Sequence, residues 1–142
     1  MAPFERVSLA MTAMRQLQHV VTRETMALRQ MKLEPLADLQ AEKATLAVAY
    51  EREVRELRAT PEIFAALELP LREAFAMASR ELQTAIAANV RALEAARQVV
   101  EGVVQLLGQS LESVRQRPSY APAGRTGQPV ANAAPVAFNR EI

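Results

Sequence analysis

Residues 82–114 read "LQTAIAANVRALEAARQVVEGVVQLLGQSLESV". Within them Leu82, Ile86, Asn89, Leu93, Ala96, Val100, Val103, Leu107, Ser110 and Val114 recur at alternating steps of four and three. That alternation is the heptad stripe of a helix that packs lengthwise on another helix. The stripe extends back through Leu71, Phe75 and Ala78, with one 4–4 stutter at Ala78–Leu82–Ile86. Pro70 suits a first helical turn, and Glu73 favours the positive end of the helix dipole. Arg115 and Arg117 suit the opposite end, and Pro118 supplies the stop. The pattern predicts one helix over about 70–116, roughly 70 Å long.

Working back towards the N-terminus, the helical rhythm appears twice more. Ala10, Met14, Leu17, Val21, Leu28 and Met31 fall at helical spacing, with Glu24 in the place of an apolar residue. Pro35 then removes a backbone donor and kinks or breaks the helix. The rhythm resumes at Leu36, Leu39, Lys43, Leu46, Tyr50, Val54 and Leu57. Two roughly coaxial segments are expected, about 5–33 and 36–59. Thr60 is a good N-cap, and Pro61 and Glu62 suit a first turn, so a short helix over 61–68 is predicted. Its Ile63, Phe64 and Leu67 would plug the turn.

The expected fold is therefore all-α. A kinked N-terminal helix, a short connecting helix and a long C-terminal helix form an antiparallel hairpin or bundle over 1–117. If Leu57 lies near Leu71 or Phe75, Lys43 falls opposite Ile86–Asn89 and Glu24 opposite Val103–Leu107. Lys43 and Asn89 are the polar residues out of place in the two seams. Either they meet and set the register, or Lys43 snorkels to solvent along its stem.

Composition narrows the function. The 142 residues are 50% hydrophobic but only 4% aromatic, with no cysteine and a formal net charge of +1. No basic patch marks a nucleic-acid partner. No apolar run approaches the roughly 20 residues of a membrane span, and the N-terminus lacks a signal-peptide core. A cytoplasmic protein is expected. His19 is the only histidine and Asp38 the only aspartate, so zinc sites and nucleophile–base triads lack their parts. Glu51, Glu53 and Glu56 read as a solvated helix face. No enzyme activity, cofactor or metal is expected.

Two features are left over. Val99, Val100, Val103, Val104, Leu106, Leu107, Leu111 and Val114 give the long helix more apolar surface than one seam needs. Surplus apolar surface marks an interaction site, and Gly102 and Gly108 soften the helix there. The alternatives are packing on the N-terminal helix or closure of a homodimer. The second feature is the stretch 118–142, with Pro118, Pro122, Pro129 and Pro135. Its composition argues for a flexible tail, with Tyr120, Val130, Val136, Phe138 and Ile142 as spaced apolar anchors.

The stretch "LQHVVTRETMALRQMKLEPLADLQAEKATLAVAYEREVREL" (17–57) resembles the FlgN-type flagellar export chaperones. Glu24, Leu28, Leu36, Leu39, Lys43, Leu46 and Tyr50 follow the family's cadence, as does Asn89 with Leu93 in "AIAANVRALEAARQVV". "SYAPAG" resembles the family's Tyr-x3-Gly step at Tyr120 and Gly124, and "PVAFNREI" resembles tails of its alphaproteobacterial branch. Pro35 and the longer tail depart from the family's pattern. The resemblance implies a cytoplasmic chaperone for hook-associated proteins of the hook–filament junction. It would cover their amphipathic C-terminal helices and pass them to the flagellar type III export apparatus, with export-apparatus components as further partners. Client binding then falls on Val99–Val114. A structural coiled-coil homodimer or adaptor, or a chaperone for another type III client, are the alternatives.

Overall fold

In the computed structural model, residues 2–115 are described. The expected tail, 118–142, lies outside the described residues, together with Tyr120, Val130, Val136, Phe138 and Ile142. The chain is all-α, with α1 at Pro3–Arg29, α2 at Leu36–Ala59, α3 at Glu62–Ala65 and α4 at Leu69–Arg115. It divides into two compact units, Met1–Ala92 and Leu93–Ile142.

In the first unit α1 is the central helix. Pro3 occupies its first turn, and the Glu5 carboxylate accepts the Ala2 backbone N–H at 3.1 Å. Besides Val7 and Leu17, its buried residues come in adjacent pairs: Ala10 and Met11, Ala13 and Met14, Val20 and Val21, Glu24 and Thr25, Ala27 and Leu28. A helix that buries such a double row has neighbours on two sides. One is α2, which contributes Leu36, Leu39 and Leu57 to the core. The other is the first half of α4, which contributes Ala78, Leu82 and Asn89.

The expected coaxial arrangement of the two N-terminal segments does not occur. α1 ends at Arg29, ahead of Pro35, which stands as the N-cap of α2, and α2 turns back along α1. Arg6 lies 3.7 Å from both Glu53 and Glu56, Arg23 lies 3.5 Å from Glu42, and Glu24 lies 2.7 Å from Lys43. Partner numbers rise on one helix as they fall on the other, which defines an antiparallel pair. The exposed ion pairs add little stability but mark the register. Because α1 folds back beside α2, Glu24 faces Lys43 and Asn89, and the expectation that it lies opposite Val103–Leu107 falls.

The reversal rests on a helix C-cap that composition conceals. The Lys32 N–H donates to the Ala27 carbonyl at 2.8 Å, and the Met31 N–H to Leu28 at 3.2 Å. This is the Schellman arrangement, in which the residue past the cap takes the left-handed conformation that glycine adopts freely. Here it is Met31, with φ of 56° and 59% exposure. Without glycine or asparagine at that place, the sequence carries no visible stop before Pro35.

At the other end of the unit, α3 is one turn long rather than spanning 61–68. The Thr60 hydroxyl does not cap it; it donates back to the Glu56 carbonyl at 3.4 Å, closing α2. The plug itself forms as expected. Phe64 meets Phe75 edge to face at 5.0 Å, and Leu67 is buried. Ala2, Pro3 and Phe4 line one cavity with Leu67, Leu71 and Ala74, so α1 and α4 start together and run parallel.

The stutter in α4 also disappears. Ile86 is exposed and Ala85 is half-buried, so Phe75, Ala78, Leu82, Ala85 and Asn89 keep alternating steps of three and four. Isoleucine has the stronger apolar signal, but the small alanine sits where the helices meet.

Replacing Met31 with glycine removes the left-handed penalty of about 1–2 kcal/mol, partly offset by the greater freedom of unfolded glycine. Met31→Gly should raise stability by roughly 0.5–1 kcal/mol in urea denaturation. A loss of stability would contradict this account of the turn.

Candidate functional site

The described part of the molecule offers two unusual features, one buried and one exposed. The buried one is polar. Glu24 sits between Val21 and Leu28 on the core side of α1 and is 0% exposed. A carboxylate in an apolar core is costly unless paired and hydrogen-bonded. Its Oε1 accepts from Lys43 Nζ of α2 at 2.7 Å and from Asn89 Nδ2 of α4 at 2.8 Å. Asn89 Nδ2 also lies 3.1 Å from Thr25 Oγ1 and 3.5 Å from the Val21 carbonyl. The Thr25 hydroxyl donates to that same carbonyl at 3.0 Å. Lys43 Nζ reaches Asn89 Oδ1 at 3.4 Å. Among the described residues no donor reaches Glu24 Oε2.

Lys43 and Asn89 therefore meet, and Lys43 points inward rather than snorkelling. The sequence reading missed that Glu24 joins them and that Thr25 completes the set. The signal was present: Glu24 is an acid in an apolar seam, and Lys43 is the one cation in the next seam. α1 gives Glu24 and Thr25, α2 gives Lys43 and α4 gives Asn89. Sliding α1 against α2 by a turn would bury an unpaired charge, and sliding α4 would take the Asn89 amide from Glu24, so the junction selects one register from several apolar ones.

The exposed feature lies in the second unit. Val99, Val103, Val104, Leu106, Leu107, Leu111 and Val114 are all exposed, and Val100 is half-buried. Exposure reaches 51% at Val103 and 65% at Leu106. Residues 102–111 contain no charged side chain. Nothing lies within 4 Å of where a Cβ would stand at Gly102 or Gly108, so both glycines also face open space. The charges that flank this stretch satisfy one another: Arg97 pairs with Glu94 at 3.8 Å and Glu101 at 3.2 Å, and Arg115 with Glu112 at 3.9 Å.

His19 and Asp38 are exposed and far apart in the chain. Among the described residues no three His, Cys, Asp or Glu side chains gather as metal ligands, and no helix is long and apolar enough to cross a membrane. Comparison of the chain with protein families, with curated proteins and with solved structures yields no match.

Removing one partner from the junction should be severe. Lys43→Met leaves the Glu24 carboxylate buried and unpaired, and should cost about 3–5 kcal/mol in chemical denaturation. Adding Glu24→Leu and Asn89→Leu to that change should recover most of the loss, because apolar replacements of a whole buried network are often neutral. A single-variant cost below about 1 kcal/mol, the range of exposed pairs, would show that the junction does not hold the helices.

Proposed function

We propose that this protein is a cytoplasmic export chaperone of the FlgN type. It would bind the amphipathic C-terminal helices of hook-associated proteins, keep them unassembled and deliver them to the flagellar type III export apparatus. The observation that carries the reading is the exposed apolar stretch from Val99 to Val114, uncharged over 102–111. Its three-and-four spacing suits a helical partner. Exposed side chains on this scale exceed the single scattered leucines of an ordinary surface.

Two further features support it. The work of such a chaperone is covering and releasing a helix, and it requires no catalytic group. Gly102 and Gly108 each cost about 1 kcal/mol of helix propensity against alanine, in a place where no close packing demands glycine. A helix loosened there adapts its curvature to a client. The buried junction meanwhile keeps the remainder of the bundle in one arrangement.

Calorimetric titration with the C-terminal segment of a hook–filament junction protein from the same organism tests the proposal. Binding at micromolar or better is expected. Replacing Val103, Leu107 and Leu111 with Asp should abolish it while leaving the circular dichroism unchanged. Absence of heat at any accessible concentration, together with a tight homodimer in light scattering, would overturn the proposal in favour of a structural coiled coil.

A further inference from the structure

The exposed stretch of α4 is broader than one partner helix can cover. At about 100° per residue its apolar side chains fill an arc of about 160°. Val99, Val103 and Leu106 hold one edge. Val104, Leu107 and Leu111 hold the other, about 100° further round. A two-stranded coiled coil uses two positions in each heptad, and a helix facing a globular core uses about three. Here the two seam positions, Ser110 aside, and both flanking positions are apolar from Val99 to Leu111, so four are used. The flanking positions are where a two-stranded coil places the charges that choose its partner. This stretch has Val99, Val104, Leu106 and Leu111 there instead.

From this we infer that the face receives two helices side by side, a deeper version of the helix-binding reading on which it rests. The partner presents a helical pair. One helix lies along the Val99–Val103–Leu106 edge and the other along the Val104–Leu107–Leu111 edge. Both present uncharged, apolar contact faces. The charges bordering the stretch are already matched within α4, by Glu94 and Glu101 around Arg97 and by Glu112 beside Arg115. No opposite charge is required of the partner, and the contact is insensitive to salt. A single helix would leave one edge in water.

The test uses the full chain and a designed amphipathic helical peptide of roughly 25 residues, Leu-rich on one face and bearing Gln and Lys on the other. Sedimentation velocity on the free chain comes first, then calorimetric titration at low and high salt. The expected result is two peptides per chain, with little change between salts. Val99→Gln with Leu106→Gln should leave one peptide bound, and so should Val104→Gln with Leu111→Gln. A hairpin of two such helices should bind once, and at least about tenfold more tightly than the single peptide. These residues are exposed, so the variants keep their fold, as circular dichroism would verify. One peptide per chain, lost with either edge, would overturn the inference and leave the helix-binding reading in place. No binding of any peptide would overturn that reading too. A free-chain dimer that both edge variants dissociate would identify a second copy as the occupant and overturn the helical-pair inference.

Discussion

A buried carboxylate governs this structure. Glu24 has no access to water, and two donors from two other helices converge on one of its oxygens. Apolar seams alone allow several registers, because leucine against leucine looks much the same one turn along. A charge in the core does not, since every register but one leaves it unpaired. The antiparallel pairing of α1 with α2 and the parallel placement of α4 beside α1 both meet at this point. Thr25 adds a hydroxyl that accepts from Asn89 and fixes the amide's orientation.

Much of this was legible in the residues. The helices followed from seam spacing and from prolines at 35, 61 and 70, and Lys43 opposite Asn89 followed from matching the seams of α2 and α4. The path of α1 did not. Pro35 reads as a kink or break between coaxial segments, and no glycine announces a reversal. The reversal is made by Met31 in the left-handed conformation, and a methionine gives no local sign of it. Once α1 folds back, Glu24 swings from the expected neighbourhood of Val103 to that of Lys43. One hidden turn residue thus displaced the most informative polar side chain. Ala85 misled in a smaller way, since a methyl group at a helix crossing carries less signal than the isoleucine beside it.

The exposed stretch was legible for the opposite reason. It needs no tertiary partner to be recognised, only more apolar positions per heptad than a seam can use. α4 thus carries one rhythm with two fates. From Ala78 to Leu93 the stripe includes buried side chains, while from Val99 to Val114 its side chains are almost all exposed. A stable core and an adaptable binding surface ask different things of a helix. Here the first has a polar junction and small residues at the crossing. The second has two glycines and no charge along its middle.

Hydrogen exchange followed by mass spectrometry on the full chain tests this division most directly. The account predicts slow exchange in the segments holding Val21–Leu28 and Leu82–Ala92. It predicts much faster exchange across 99–114 in the free chain, slowing when an amphipathic helical partner is added. Protection across 99–114 equal to that of α1 in the free chain, unchanged by any helix, would contradict it. The apolar stretch would then be covered already, and its surplus would belong to the protein's own assembly.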